Sequence, residues 1–320
     1  MGLIFAYIII ASIVVGLSIK ASHYVDFLDR NTKLSGAFLG GVLLSAVTSL
    51  PELITSISSI LLINKPSLCI GNILGSNLFN LAVLAAAGLF SIRHFAGSKI
   101  TQGNVAVALF VTLIYGVSIL NWFNILNFEI ATINALTIII LLLYVVGVKF
   151  LARDNDDSEP EADEHIELRP NAVRNTALKF IATSIGIVLS SIAMTYVSDD
   201  LAIRYNIGLG LTGAIFLGVA TSLPEVSSTI ALFRLRNYNA AVGNIIGSNL
   251  FNFLVLCIVD LFSFGINIYD FSDPKVENLL TFGAIATIAT LYMLQSRRGV
   301  TKILCIFGAI ACYFAFLMVD

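Results

Sequence analysis

Two glutamates stand in strongly apolar sequence, each directly after a proline. Glu52 closes the phrase S-A-V-T-S-L-P-E at 45–52, and Glu225 closes G-V-A-T-S-L-P-E at 218–225. A second pair of phrases follows, G-N-I-L-G-S-N-L-F-N at 71–80 and G-N-I-I-G-S-N-L-F-N at 243–252. A carboxylate in apolar surroundings is costly and calls for a partner. Proline lacks an N–H and clashes with the carbonyl four residues back, here Val47 and Ala220. Carbonyls around Val47-Thr48 and Ala220-Thr221 are thereby freed within one turn of each carboxylate, and in hydrocarbon a free carbonyl needs something to bind. Ser76 and Asn80 lie four apart and share a helix face, as do Ser248 and Asn252. Carboxylate, carbonyl, hydroxyl and amide oxygens together make the ligand set of a hard cation. Two glutamates match the charge of one Ca2+. Left empty, two close carboxylates would keep a proton or draw in monovalent ions. One site filled in turn by different cations is the physical basis of exchange. The plainer alternative, protonated glutamates that only bridge helices, leaves the duplication of the whole ligand set unexplained.

The elements that carry these residues are membrane helices. Of 320 residues 58% are hydrophobic and 12% are charged, and mean hydropathy is +0.92. A soluble domain carries about twice that charged fraction. Charge-poor stretches long enough to cross a bilayer give ten spans: 3–20, 36–62, 67–90, 103–120, 128–149, 175–198, 209–233, 239–264, 278–294 and 301–318. The first has no basic residue before it and Lys20 after it, the reverse of a cleavable signal, so it reads as a retained span. The odd-numbered connections carry 15 of the 18 basic residues and the even-numbered ones the other 3. By the positive-inside rule the odd connections are cytoplasmic and both termini lie outside. The fold class is therefore an all-α polytopic membrane protein.

Setting Thr48 on Thr221 also matches Asp26 with Asp199 and Gly40 with Gly213. One residue is lost downstream, where Gly71, Asn72, Gly75, Ser76, Asn77 and Asn80 match Gly243, Asn244, Gly247, Ser248, Asn249 and Asn252. The duplication spans at least 26–80 and 199–252. Each half holds five helices, an odd number, so the second half enters the membrane from the opposite side. Inverted repeats of this kind place their shared site near the bilayer midplane. The expected organisation is a first five-helix repeat over 1–150, an acidic cytoplasmic loop over 151–174, and an inverted five-helix repeat over 175–320. Gly71 and Gly75, like Gly243 and Gly247, form small-residue faces that let helices approach closely, here the helix that carries the glutamate.

The remaining polar residues suggest structural duties. Eight acidic residues lie between Asp154 and Glu167 with Pro160 and Pro170, a composition that suits a solvated linker better than a regulatory calcium site. His23, His94 and His165 fall in connections and read as solvated. Asp26 and Asp199 suit helix capping better than an ion entrance. Asp260 has no acidic partner in the first half, where Gly88 stands, and is expected to reach the outer interface from the end of its span. Cys69, Cys257, Cys305 and Cys312 have no metal spacing and read as packing residues. The basic residues are scattered, which argues against nucleic acid as a partner.

The T-S-L-P-E and G-S-N-L-F-N phrases closely resemble the alpha repeats of the cation/calcium exchanger superfamily, especially its prokaryotic sodium/calcium exchanger branch. The likeness runs the length of the chain. It implies that Glu52 and Glu225 coordinate a central calcium with the backbone carbonyls of Thr48 and Thr221. It implies flanking sodium sites formed by Ser76 with Thr48 and Glu52, and by Ser248 with Thr221 and Glu225. Carbonyls at Ser45 and Gly218 would complete them, and Asn80 and Asn252 would lie at the centre. The family often has Asp where Asn252 stands, so this site carries only two formal negative charges. Ser45 stands where the second repeat has Gly218.

The resulting expectation is a multi-pass protein of the cell membrane that exchanges Ca2+ for Na+ by alternating access. Its partners would be inorganic cations and the lipid bilayer, with no cofactor and no obligatory protein partner. A Ca2+/H+ antiporter on the same scaffold is the nearest alternative, and a cation channel is an alternative of another class. Enzymatic activity is not expected. An intramembrane hydrolase would need a nucleophile–base pair, and no buried His accompanies a Ser and no second Asp accompanies Asp260.

Overall fold

The computed structural model describes residues 2–61, 66–126, 129–130, 133–157, 170–204, 221–263, 267–271, 273–296 and 298–319. The chain opens with α1 (Gly2–Asn31), which outruns the expected span 3–20. The extension is held by the Asp26–Arg30 pair one turn apart, 3.1 Å. Asn31 Nδ2 and Thr32 Oγ1 close its last turn by donating to the carbonyls of Phe27 and Leu28.

The expected helix 36–62 is broken. Ser35 caps α2 (Gly36–Phe38) by accepting from Phe38 N–H, a π-helical segment follows at Leu39–Leu44, and α3 covers Ser45–Thr48. At Ser49 the backbone leaves helical geometry (φ −92°, ψ 5°), and α4 (Leu50–Leu61) resumes at a 41° bend. Pro51 is thus the second residue of a new helix and does not interrupt one. That is the position where its missing N–H costs least, and Val47 O still receives no N–H from position 51. The second repeat does the same: Ser222 (φ −87°, ψ 6°) precedes a helix at Leu223–Arg234 with Pro224 second.

The first half continues with α5 (Pro66–Phe90), α6 (Ile92–Phe95) and α7 (Gln102–Trp122), the last capped by Thr101. The expected helix 128–149 starts late. Glu129–Ile130 (β1) pairs antiparallel with Ile133–Asn134 (β2), Glu129 opposite Asn134. Helix α8 (Ala135–Asp157) begins only after Asn134, whose Oδ1 accepts from Leu136 N–H at 2.9 Å as an N-cap. The acidic connection expected at 151–174 is shorter than its composition suggested. Helix α8 reaches Asp157 and α9 (Pro170–Arg204) starts at a proline, while 158–169, with His165, lie outside the described residues.

After α9 come α10 (Leu223–Arg234), α11 (Tyr238–Phe262, N-capped by Asn237), α12 (Pro274–Gln295, N-capped by Asp273) and α13 (Gly299–Val319). Among the described residues eight helices are long and apolar enough to cross a membrane, or nine if the bent pair is one span. Of the expected span 209–233, residues 209–220 lie outside the described residues.

Helix α11 is the centre of the bundle and touches the π-helical segment, α5, α7, α8 and α10, while α1 lies along α9. Backbones meet directly where α11 crosses the π-helical segment. A Cβ on Gly247 would lie 2.6 Å from Gly41 Cα, and one on Gly243 2.9 Å from Gly41 N. The glycine face of the second repeat therefore abuts the broken span that carries Glu52.

Polar contacts gather the connections at two ends. At one end Asn237 Nδ2 donates to Asp26 Oδ1 (3.0 Å) and Asp29 Oδ2 (2.7 Å). There too Thr101 N donates to Asn239 Oδ1 (3.0 Å), and Lys302 Nζ donates to Ala96 O (3.0 Å). Asp26 thus grips the N-cap of α11 instead of capping a helix itself; nothing is described of the Asp199 side chain. At the other end Asp260, near the end of its helix, is buried against protein. Its Oδ2 accepts from Thr137 Oγ1 (2.7 Å) and Asn134 N (3.2 Å), and Thr137 also meets Tyr269 Oη at 2.6 Å. A short carboxylate near a helix end is cheaper to satisfy against the hairpin than to extend into water. His23 and His94 are exposed, and Cys69, Cys257 and Cys312 are buried.

Because Gly247 has no room for a methyl group, Gly247→Ala should lower the stability of the solubilised protein by about 1–3 kcal/mol. Gly116→Ala, with no described atom within 4 Å of the added carbon, should leave the unfolding midpoint unchanged. Equal midpoints for the two variants would show that the close crossing is not required.

Candidate cation site

The helices that start at Leu50 and Leu223 bring their glutamates into the interior. Glu52 and Glu225 are each 1% exposed. Neither has a Lys, Arg or His partner among the described residues, where the recorded ion pair is Arg30–Asp26. Their hydrogen bonds cross between the halves. Ser222 Oγ donates to Glu52 Oε1 at 3.4 Å, and Ser49 Oγ donates to Glu225 Oε1 at 3.2 Å. The other carboxylate oxygen on each, Oε2, has no partner among the described residues. Ser76 Oγ, Asn80 Oδ1 and Asn252 Oδ1 are likewise buried and unpartnered among the described residues. Five orphaned oxygens and two unbalanced carboxylates cannot persist in a dry interior without a cation or protons.

The other expected site residues fall around these. Thr48, Thr221, Ser248 and Ser45 are all buried. Thr48 Oγ1 lies 3.4 Å from Ser248 Oγ, which joins the two repeats. Ser45 O accepts from Ser49 N (3.0 Å) and from Thr48 Oγ1 (3.2 Å), so both its lone pairs are engaged here. Gly218 lies outside the described residues. No cluster of three or more His, Cys, Asp or Glu side chains occurs among the described residues. A cation held here would therefore rely on hydroxyl, amide and carbonyl oxygens for the rest of its shell, as hard cations do.

Four contributors had no assigned role in the sequence reading. Ser49 and Ser222 supply the crossed donors to the glutamates. Asn77 and Asn249 sit between the motif helices. Asn249 Oδ1 accepts from Asn80 Nδ2 at 3.0 Å, and Asn77 Oδ1 accepts from Asn252 Nδ2 at 2.9 Å. Their occurrence at matched places in both copies was the available signal.

The sodium/calcium exchanger protein family model matches residues 2–152 and 176–319, nearly the whole chain. The chain belongs to the sodium/calcium exchanger family. This makes it a multi-pass integral membrane protein of the cation/calcium antiporter class. It is 28% identical over 243 residues to the inner membrane protein YrbG of Escherichia coli (strain K12), covering 72% of this chain and 70% of that one. Its fold matches the sodium-calcium exchanger NCX_Mj soaked with 2.5 mM Na+ and 1 mM Sr2+, with a TM-score of 0.76 and 17% identity over 99% of this chain and 97% of that one. The same protein soaked with 10 mM Na+ and no Ca2+ gives a TM-score of 0.74 at 17% identity, over 99% and 98% of the two chains.

Binding of a cation at this place stabilises the folded state by mass action, about 2.7 kcal/mol at 100 times Kd. Calcium titration of the purified protein should therefore raise its unfolding midpoint. Glu52→Gln should fold as well without calcium, because a buried charge is gone, yet lose the calcium-dependent rise. A rise that persists in both Glu52→Gln and Glu225→Gln would put the bound ion elsewhere.

Proposed function

We propose that the chain exchanges Ca2+ for Na+ by alternating access at one site shared by two inverted five-helix repeats. The single observation that supports this most directly is the set of orphaned oxygens where the duplicated motifs cross: one from each glutamate, plus Ser76, Asn80 and Asn252. In this reading Glu52 and Glu225 hold the central calcium with the carbonyls of Thr48 and Thr221. Ser76 and Ser248 serve flanking sodium ions; the resemblance adds the carbonyls of Ser45, which would have to give up a hydrogen bond to bind an ion, and of Gly218. Crossed serine donors and the near-zero exposure of both glutamates suit a carrier that binds its ion out of water better than an open channel.

The distribution of the connections supports the inverted arrangement. Contacts at one end link the ends of α1, α11 and α13 with the 96–101 segment, and contacts at the other link the hairpin, the start of α8, the end of α11 and Tyr269. Such a division is what helices that each cross once produce, and with five spans in each half the second half would enter from the opposite side. With the basic residues on the odd side, that end is cytoplasmic and both termini are outside. The repeats would occupy 1–150 and 175–320, and the acidic segment 151–174 would face the cytoplasm. Helices α1 and α9, packed along each other, are the pair suited to slide against the motif core.

A second reading, Ca2+/H+ exchange, draws on one observation. Asn80 and Asn252 are both neutral, so the site holds two formal negative charges, which two protons balance against one Ca2+. Calcium flux into vesicles, with Na+ and pH gradients imposed separately, distinguishes the two. The expected result is uptake driven by internal Na+ and abolished in Glu52→Gln and Glu225→Gln. Uptake driven only by the pH gradient would establish the second reading, and flux with no countertransport would establish a channel.

A further inference from the structure

A cation site built partly from amides needs each amide turned the right way, because the NH2 end repels a cation that the carbonyl end attracts. We propose that Asn77 and Asn249 are positioning residues that turn Asn252 and Asn80 so that their carbonyl oxygens stay open to the ion. This rests on the reading of the crossing point as the transport site.

The geometry is reciprocal. Asn77, on α5, presents Oδ1 to the Nδ2 of Asn252 on α11 at 2.9 Å. Asn249, on α11, presents Oδ1 to the Nδ2 of Asn80 on α5 at 3.0 Å. The two positioning amides are themselves held by backbone: Asn249 Nδ2 donates to Asn77 O at 3.1 Å, and Asn77 Nδ2 donates to Asn249 O at 3.5 Å. All four side chains are 0–1% exposed, so water cannot satisfy a reversed orientation. Reversal of Asn252 would set its oxygen against Asn77 Oδ1, acceptor facing acceptor. The direct outcome of the arrangement is visible: the oxygens of Asn80 and Asn252 are left without a partner.

The clamp also answers a competing attraction. Each glutamate keeps one unpartnered oxygen, and a free NH2 group would turn toward it. Without the clamp the central amides would donate to the carboxylates and seal the empty site against its ion. Each repeat thus supplies one cation-facing oxygen and the acceptor that orients the other repeat's oxygen.

The test is exchange of radiolabelled calcium for unlabelled calcium across vesicles, which needs no counter-ion. Asn77→Ala and Asn249→Ala should each raise the half-saturating calcium concentration about three- to tenfold, the size of one lost buried hydrogen bond, and leave the maximal rate within about twofold. Because Asn77 acts through Asn252, adding Asn77→Ala to Asn252→Ala should cause no further change. Full additivity in that cycle, or a fall in maximal rate at unchanged half-saturation, would overturn the proposal. Where Asn77→Ala reduces the amount of folded carrier, Asn77→Ser and the symmetric cycle of Asn249→Ala with Asn80→Ala give the same decision. Glu52→Gln separates the two levels of the argument. If it exchanges calcium like the parent, the site itself is misplaced; if it is inactive while the cycle is additive, only the positioning role fails.

Discussion

Two carboxylates buried with no basic side chain beside them among the described residues are the constraint from which the rest of this structure follows. A charge in a dry interior costs several kcal/mol even after local relaxation. Among the described residues no basic side chain pairs that charge, which leaves a cation or protons to balance it. The protein surrounds Glu52 and Glu225 with hydroxyls and amides and leaves oxygen atoms unanswered. The bent span at 36–61, the two proline starts and the glycine crossing are the means of assembling that unfinished shell. Gly243 and Gly247 let α11 lie against the π-helical segment backbone to backbone. Only at that separation can side chains as short as serine and threonine reach across the repeat boundary.

Helix starts explain why the carbonyls are available. A proline in mid-helix would kink the chain at a cost of about 3 kcal/mol. Here each proline stands second in a helix that begins afresh after Ser49 or Ser222. The break is therefore placed at the serine, and the serine hydroxyl is aimed at the opposite glutamate. One local event ends a helix, frees a carbonyl and directs a donor.

Much of this was legible in the sequence because the relevant signals are local or periodic. The duplicated phrases marked both glutamates, and the four-residue spacing put Ser76 with Asn80. What was not legible depends on contacts between distant segments. Asn77 lies off the face shared by Ser76 and Asn80, and its role exists only once α5 and α11 cross. Asp260 looked like a residue bound for the interface, but it meets one donor from the hairpin, Asn134 N, and one from α8, Thr137 Oγ1, that no helical pattern announces. That hairpin was itself hidden inside an apolar run that read as continuous helix. Pro170 was read as part of a linker, yet it opens α9, a position where proline is favoured.

The crossed serines carry a consequence for how such a protein can change over time. Ser222 serves the carboxylate of the first half and Ser49 that of the second. Each glutamate thus takes its serine donor from the opposite half, so each half depends on the other for that hydrogen bond. A substitution in one copy is felt first by the charge in the opposite copy. Duplicated segments normally drift apart once copied, but here drift at these positions is coupled across the two copies. The near-identity of the four phrases, in a chain whose halves have otherwise diverged, is what such mutual dependence would preserve.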